Sequence, residues 1–468
     1  MPRFIRTRLS AMMFLFYFAL GSWAVTLSTF MMSSPIKGGL NFTTAEVGWV
    51  YSTFALAGMI APIFVGVLAD RLFRGAMILG VSGIVTSLLL FTAGWWCDLN
   101  QPVIDDVYRE VAAEEFVAGK PVLEQLDALD AHGGIVPVAA MEPLREQVRE
   151  GMNRVKDHPA VRQVVSDTFR PLFAIMLLQN IAVQLGLTLS TVVTLRNLRD
   201  PSADFSRCRL WGTIGWISAG NAVGILLTAV SPQPLYLAAA SSGLFGLYSF
   251  TLPRTPPKGH GKSLAESFGL PALRLFRQRS FLVFIVIAFA GAAINQFYGV
   301  YAHRYLTDLE LPRPEQWMTI GQVTEVGVMF MLPLLHPKRW LKVLMLIGLA
   351  GYILRGFAMM SEWLPLVITC GISMHGFSFA FFYIVAAMYI DREAPPHLRA
   401  SAQAVVSFAA SGVGPWVGNL FAATIVDQHR IGMIIDWPDV WQVPLIGSII
   451  LFAAFAVLFR PNPEKPPS

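Results

Sequence analysis

Two ionisable side chains stand in stretches of this chain that are otherwise apolar. Glu325 lies inside the stretch 318–332, and Arg209 opens the glycine-rich stretch 209–216 in the other half of the sequence. A charged side chain at the centre of a bilayer costs about 2.5 to 3.5 kcal/mol even on the lenient insertion scales, so it is retained where a partner or an aqueous cavity receives it. One acid and one base in separate halves therefore predict a polar pocket in the middle of a membrane bundle.

The composition places these stretches in a bilayer. Hydrophobic residues make up 54% of the 468 residues, charged residues only 14%, and the mean hydropathy is +0.55. Such a chain is too apolar for a soluble domain of this length. Crossing the hydrocarbon as a helix takes about 20 apolar residues. Scanning for such windows predicts an all-α membrane protein with spans near residues 9–33, 45–69, 76–96, 170–194, 209–230, 234–252, 280–302, 316–335, 341–360, 364–390, 401–426 and 440–459.

The loops between these twelve spans indicate the orientation. Lys and Arg are retained on the cytoplasmic side of a membrane, and most of them lie in the termini and in loops on the side of the N-terminus. The short loops on the opposite side hold only Lys37, Arg304, Arg313 and Arg430. Both termini are therefore predicted to be cytoplasmic, in a multi-pass membrane protein. The first span is longer than the apolar core of a signal peptide, so we expect it to remain as helix one.

The predicted spans fall into two groups of six. The long basic loop 253–279 separates the N-terminal bundle from a C-terminal bundle at 280–468. Between spans three and four, residues 98–169 hold 14 acidic against 7 basic residues and show amphipathic helical patterns. We expect an acidic helical insert outside the membrane there, so that the N-terminal bundle consists of 1–97 and 170–252. A solvated lid is the simpler interpretation of the insert, and binding of a partner is the alternative.

The loop between spans two and three carries the pattern Gly66-Val-Leu-Ala-Asp70-Arg71, which resembles the G-x-x-x-D-R motif of the major facilitator transporters. An Asp at the cytoplasmic end of a helix can engage a neighbouring helix terminus or an Arg, and this contact must break when the two halves rock. Asp70 and Arg71 are therefore candidate gating residues. The alternative is that they only cap a loop at the lipid headgroups.

Several classes of function lack support in the sequence. Cys97, Cys208 and Cys370 fall in separate parts of the chain and offer no disulfide pair or metal set. The net charge of +5 comes largely from loops that would face anionic lipid, which argues against nucleic-acid binding. No metal-spaced His and Asp set, nucleophile elbow or phosphate loop is present. We therefore expect neither enzyme activity nor a cofactor or metal.

Five short strings carry a resemblance to a known family. They occur in spans one, five, eight, ten and eleven and read Gly21-Ser22-Trp23, Arg209-Leu-Trp-Gly-Thr-Ile-Gly-Trp216, Gln322-Val-Thr-Glu325, His375-Gly-Phe-Ser-Phe379 and Arg399-Ala-Ser-Ala-Gln403. In this order, the strings resemble the bacterial nucleoside:proton symporters of the major facilitator superfamily. The resemblance covers nearly the whole chain apart from the insert. It implies a monomer of twelve transmembrane helices in two six-helix bundles, which import a nucleoside together with protons by rocking about a central site.

The resemblance also implies which residues line that site, and their types suit a nucleoside. A nucleoside is uncharged and offers a flat base, hydrogen-bonding edges and ribose hydroxyls, so its pocket needs amides, hydroxyls and aromatic faces. Helical spacing places the candidates of span five on one face, and the same holds for those of span eight. The implied site residues are Arg209, Thr213, Trp216, Gln296, Gln322, Glu325, His375 and Phe379. Glu325 is the candidate for proton coupling.

Each of these residues has a structural alternative, and it is weakest for Glu325, which lies mid-span and too far in to snorkel. Trp216, Phe379 and His375 could simply pack between helices. Thr213 could bond to its own helix, and the two glutamines could link helices. Arg209 could snorkel to the headgroups. For the whole protein, the alternatives are transport of another polar solute, such as a sugar or nucleobase, and a non-transporting membrane receptor that uses the acidic insert.

One position departs from the family pattern. The symporters commonly carry an Asp directly after the aromatic residue that matches Phe379, and this chain has Ala380 there. The resemblance therefore implies either a different substrate or proton coupling that rests on Glu325 alone.

Overall fold

The computed structural model describes residues 2–67, 74–131, 150–198, 200–253, 269–335, 339–431 and 434–460. Almost all of these residues are helical, apart from connecting turns and one two-stranded hairpin, in which β1 (Arg430–Ile431) pairs with β2 (Ile434–Ile435). The all-helical class predicted from the composition is therefore confirmed. The predicted gating residues Asp70 and Arg71 lie outside the described residues.

The described part of the N-terminal half consists of eight helices. They are α1 (Pro2–Ala24), α2 (Leu27–Met32), α3 (Thr44–Val67), α4 (Gly75–Ala131), α5 (150–157), α6 (Pro159–Asn197), α7 (Pro201–Leu226) and α8 (Gln233–Ser249). The start of α6 shows why it begins where it does. Pro159 occupies the first helical position, where a missing N–H costs nothing, and the His158 side chain accepts a hydrogen bond from the Ala160 backbone N–H.

The described part of the C-terminal half consists of six helices. They are α9 (Arg279–Asp308), α10 (Pro314–Met331), α11 (Leu341–Met360), α12 (Leu364–Glu393), α13 (Ser401–Gln428) and α14 (Trp437–Leu458). Two of them are interrupted by π-helical turns, at Val367–Ile372 and Phe379–Ile384 in α12 and at Phe408–Val413 in α13. Such turns are frequent at functional sites. His375 lies between the two in α12.

Each window that the sequence predicts to cross the membrane lies largely within a helix of the described residues. Eight helices of the described chain are long and apolar enough to do so, with α1 and α2 taken together. The remaining predicted spans correspond to α3, α7, α8 and α10, and the total of twelve stays a prediction. Large apolar side chains on the surface, such as Leu88, Leu226, Phe330 and Ile450, are more than half exposed, which suits contact with lipid.

The predicted insert is built largely from extensions of α4 and α6. Helix α4 is 57 residues long and continues past the predicted end of span three. Helix α6 is 39 residues long and begins before the predicted start of span four. The two extensions pack against each other through buried apolar side chains, which include Ile104, Val111 and Val165. At its base the Trp96 indole N–H donates to the Thr168 carbonyl over 3.0 Å. Residues 132–149 of the predicted insert lie outside the described residues.

The two halves pack closely at one end of the bundle. We call the end from which α4 and α6 extend the insert side, and the opposite end, where α1 begins, the terminus side. On the insert side, added Cβ atoms at Gly220 and Gly224 of α7 would lie 3.0 Å from the Glu315 carbonyl oxygen and 2.7 Å from Gln316 of α10. A Cβ at Gly48 of α3 would lie 2.9 Å from Ala423 of α13. These glycines therefore allow the helices of opposite halves to touch.

Candidate functional site

Arg209 packs inside the N-terminal half. Its guanidinium carbon lies 4.1 Å from the centre of the Tyr17 ring on α1, a cation–π contact. Helices α1 and α7 can approach closely here because Gly212 sits where a Cβ would lie 2.6 Å from the Tyr17 ring. The contact differs from the alternative in which Arg209 only snorkels towards lipid headgroups. Sequence reasoning missed Tyr17, although its position one turn before Gly21 is a signal of a shared helical face.

Glu325 is buried on the α10 face that meets α12. Its side chain is 8% exposed, and it lies within electrostatic range of both Arg209 and Tyr17. The backbone here is held to α12 because the Thr324 hydroxyl donates to the Ser373 carbonyl over 2.8 Å. The acid and the base that the sequence singled out therefore lie in one electrostatic environment, although they come from opposite halves.

Glycine makes the contact between α10 and α12 possible. A Cβ at Gly376 would clash with the backbone nitrogen of Glu325, and it would lie 2.5 Å from the Thr324 hydroxyl oxygen. A Cβ at Gly321 would lie 3.2 Å from the His375 Cβ. Gly376 belongs to one of the strings that carry the family resemblance, and Gly321 directly precedes another. The close approach brings the Glu325 helix next to the aromatic side chains of α12.

Three rings form a stack in the C-terminal half. The ring centres of Tyr298 and His375 lie 5.1 Å apart with the planes at 18°, and those of His375 and Phe379 lie 6.5 Å apart at 26°. Tyr298 comes from α9, so the stack joins two helices. His375 and Phe379 therefore pack between helices, which is one of the roles that the sequence left open for them. A stack of this kind also offers flat faces to an aromatic base.

Arg355 of α11 lies against the Tyr298 ring at one end of this stack. Its guanidinium carbon lies 4.6 Å from the Tyr298 ring centre and 4.8 Å from that of Tyr352, and its Nη2 donates to the Asn295 side-chain oxygen over 2.9 Å. The side chain is only 3% exposed. The sequence places Arg355 inside the apolar stretch 341–360, whereas Tyr298 and Asn295 carry no signal beyond their closeness to Gln296.

The remaining candidate site residues are Trp216, Thr213, Gln296 and Gln322. Trp216 packs on α1, where a Cβ at Gly21 would lie 3.2 Å from its ring. Thr213 is buried one turn before it on α7. The Gln296 amide donates to the Ala292 carbonyl of its own helix over 3.1 Å, so this bond does not link helices. Gln322 is partly exposed on α10, one turn before Glu325.

Ala380 is completely buried in the core of the C-terminal half. It follows Phe379 directly, at the end of the aromatic stack. Because this position holds no carboxylate, Glu325 is the acid that the sequence strings bring to this cluster. Within the described part of the chain, no hydrogen bond to the Glu325 carboxylate is found, and Arg209 offsets only part of the cost of burying its charge.

A cavity inside the N-terminal half is a poor alternative site. It measures about 20 Å³ and is lined by Phe16, Trp23 and Gln179 among others. This volume suits about one water molecule, whereas pockets for small ligands usually measure about 300 to 1,000 Å³. This cavity is therefore too small for a ligand of that kind.

Comparison with known proteins identifies the family of the chain. The model of the nucleoside H+ symporter family matches residues 4–101 and 161–464. Escherichia coli K12 has two relatives that cover 98% of this chain. YegT, whose name describes a nucleoside transporter, is 28% identical over 94% of its length, and the xanthosine permease is 26% identical over 98% of its length.

Solved structures show the same fold. Two crystal structures of the nucleoside transporter NupG, one of them of a variant, superpose with TM-scores of 0.76 and 0.73 at 22% identity. They cover 97% of this chain and 100% and 99% of the NupG chains. A D-xylose–proton symporter superposes with a TM-score of 0.58 over 95% of each chain. The family resemblance inferred from the short strings is confirmed, and the relatives are transporters rather than enzymes. The chain belongs to the nucleoside H+ symporter family of secondary membrane transporters.

Proposed function

We propose that this protein imports nucleosides together with protons across a bacterial inner membrane, using the site between α7, α9, α10 and α12. The observation that carries the proposal is the buried Glu325 on α10, held within electrostatic range of Arg209 from the opposite half and next to the His375 ring stack. In this proposal the insert side faces the periplasm and both termini lie in the cytoplasm.

The site offers the groups that a nucleoside needs. The ring stack of Tyr298, His375 and Phe379 supplies flat faces for the base. Gln322 and Thr213 supply an amide and a hydroxyl for base edges and ribose. Trp216 adds a further aromatic face from the N-terminal half. A neutral ligand held by such groups leaves the charge balance to Arg209 and Glu325.

Glu325 is the proposed proton carrier. A buried carboxylate is unfavourable unless a partner offsets it, and proton binding removes the charge. Protonation from the periplasm would therefore allow the two halves to close on the loaded site. Each charge moved across a potential of 100 mV contributes about 2.3 kcal/mol, which corresponds to a concentration ratio of about 50.

The halves are expected to rock about this site. The structure is closed on the insert side, where α7 meets α10 and α3 meets α13 through glycines. Release of the substrate into the cytoplasm then requires opening of the terminus side. Asp70 and Arg71 are the proposed gating residues there, and a monomer embedded in lipid is the proposed working unit.

Uptake into proteoliposomes tests the proposal. A panel of radiolabelled nucleosides is offered with and without an imposed proton gradient, and unlabelled sugars and nucleobases are added as competitors. We expect accumulation of nucleosides that depends on the gradient and resists those competitors. Stronger competition by a sugar or a nucleobase would assign the site to that solute instead. Substrate binding without flux would contradict transport.

A substitution separates coupling from binding. Glu325→Gln should permit exchange of nucleoside across the membrane but abolish accumulation driven by the proton gradient, because the amide cannot carry the proton. Glu110→Gln makes the same chemical change at an exposed position of the α4 extension, and it should behave as wild type. Gradient-driven accumulation in the Glu325→Gln variant would refute the coupling role.

A further inference from the structure

A second buried acid and base lie far from the substrate site. The Nε2 of His303 on α9 and the Oε2 of Glu315 on α10 are 2.9 Å apart, and the Nδ1 of His303 is 2.7 Å from the Thr29 hydroxyl oxygen on α2. Exposed fractions are 1% for His303, 5% for Glu315 and 0% for Thr29. We call these three residues the insert-side cluster. The mechanism described above does not use them.

The insert-side cluster lies in the seam between the two halves. Thr29 belongs to the N-terminal half, whereas His303 and Glu315 belong to the C-terminal half. Gly224 of α7 covers the acid, since an added Cβ there would lie 2.6 Å from the Glu315 Oε1. Glu315 precedes Glu325 by ten residues on the same helix, or roughly 15 Å along its axis. The cluster therefore takes part in the closed insert side and is separate from the substrate site.

Several of the charged groups on the surrounding elements form ion pairs with one another. Helix α2 and residues 210–226 of α7 contain no ionisable side chain. On α9, Arg304 and Asp308 follow the cluster and pair over 2.9 Å. The pairs on the other neighbouring elements are Arg162 with Glu46 of α3, at 2.9 Å, and Arg430 with Asp427 of α13, at 3.2 Å. Asp436 and Asp439 lie at the start of α14, and Glu325 and Arg209 lie further along α10 and α7.

The net charge of the cluster depends on a single proton. With a neutral imidazole and an ionised Glu315, the buried cluster carries one negative charge; one added proton makes it neutral overall, as an imidazolium–carboxylate pair. In that form both ring nitrogens donate, to Glu315 and to Thr29. Burying an uncompensated charge costs several kcal/mol, whereas a hydrogen-bonded pair of opposite charges offsets much of this cost. The closed seam therefore favours the cluster with its proton.

We propose that His303 and Glu315 form a second proton-binding site, whose occupation holds the two halves closed on the insert side. Opening of the seam exposes the cluster to water on that side, where it can lose or bind the proton. A proton bound there promotes closure of the insert side after the substrate has entered. This role in uptake rests on the proposed proton symport, but the effect of the proton on closure does not.

Closure can be measured by the distance between two labels on the insert side. In a variant whose three cysteines are replaced, Ile36→Cys and Trp363→Cys provide exposed sites on opposite halves, with native exposures of 55% and 62%. Pulsed electron spin resonance on spin-labelled protein in nanodiscs gives the closed and open populations. As pH rises through the responsive range, the ratio of closed to open protein should fall, by up to about tenfold per pH unit for one proton.

Variants assign the response to the cluster. Glu315→Gln should abolish this fall in the ratio, because the pair is then neutral without an added proton, and a proton on His303 would favour the open form instead. Glu325→Gln should keep the fall, even while it abolishes gradient-driven uptake, so failure of the coupling proposal is distinguishable from failure of this one. A wild-type ratio that does not change with pH, or a fall of the ratio with rising pH that persists in Glu315→Gln, would overturn the proposal.

A milder variant covers the case in which Glu315→Gln does not assemble. Thr29→Val keeps the shape of the side chain and removes the oxygen that accepts from the imidazolium. A hydrogen bond from a charged donor is stronger than one between neutral groups, so the midpoint of the response should move to lower pH. Thr26→Val, a buried position on the same segment, should leave the midpoint in place. An unchanged midpoint in Thr29→Val would also contradict the proposal.

Discussion

The guanidinium carbon of Arg209 lies 4.1 Å above the centre of the Tyr17 ring. This contact fixes a cation of α7 against α1, and the same cation lies within electrostatic range of Glu325 in the opposite half. Because Arg209 is held by its own half, its distance from Glu325 must change when the two halves move relative to each other. The Tyr17 ring therefore helps to set the charge balance at the proposed substrate site.

Removal of the Tyr17 ring should weaken substrate binding. Cation–π contacts contribute about 0.5 to 2 kcal/mol, so Tyr17→Leu should raise the KM of uptake about twofold to thirtyfold. Tyr17→Phe keeps the ring and should stay close to wild type. The measurement is the initial rate of nucleoside uptake as a function of concentration. Equal effects of Leu and Phe would show that the phenol hydroxyl, rather than the ring face, is what Arg209 needs.

Gly376→Ala should destabilise the protein. The added Cβ would meet the Glu325 backbone nitrogen and lie 2.6 Å from the Gly321 carbonyl oxygen, so α10 and α12 would have to move apart. Overpacking of this kind typically costs about 1 to 3 kcal/mol. Denaturant-induced unfolding of the purified protein in detergent measures the loss.

A neighbouring glycine supplies the control for that experiment. Nothing lies within 4 Å of a Cβ at Gly327, which is on the same helix as Glu325. Gly327→Ala should therefore be neutral or stabilise by about 0.4 to 1 kcal/mol, through the reduced entropy of the unfolded chain. If both variants lost stability to the same degree, the tight contact at Gly376 would not be the cause.

Tyr298 should act through its ring rather than through its hydroxyl. The hydroxyl is buried without a hydrogen-bond partner in the described part of the chain, so Tyr298→Phe removes an unsatisfied group and should not reduce stability. Tyr298→Leu removes the stack on His375 and the face presented to Arg355, and it should raise KM. Uptake kinetics and unfolding of both variants check this. A large loss of stability in the Phe variant would reveal a partner for the hydroxyl.

The sequence predicted the acid and the base of the site because charges are rare and costly in apolar spans. Glu325 and Arg209 could be found by that rule alone, and so could Arg355. Tyr17 and Tyr298 could not, since aromatic side chains are common in membrane helices and their partners are set by the way the helices pack. The roles of the site residues themselves stay predictions that the variants above test.

The ends of helices were harder to predict than their positions. The apolar window of span three ended near residue 96, yet α4 continues to Ala131 and includes Pro102. The change in composition marks where the helix leaves the apolar region, not where it ends. The insert-side cluster escaped notice for a related reason. His303 and Glu315 lie near the ends of predicted spans, where ionisable residues are ordinary, and their proximity depends on the packing of α9 against α10.

Ala380→Asp tests whether the missing family carboxylate determines the coupling. Position 380 is completely buried, so an ionised Asp there would carry a large desolvation cost, whereas a protonated Asp would be neutral. Uptake by this variant should therefore fall as pH rises and recover at lower pH. Ala380→Asn has nearly the same size and no titratable group, so its uptake should be reduced without that additional pH dependence. Measurement of initial uptake rates against pH for both variants and wild type compares them directly. Identical pH profiles for Asp and Asn would mean that position 380 affects packing only, and that proton coupling in this chain does not depend on a carboxylate beside Phe379.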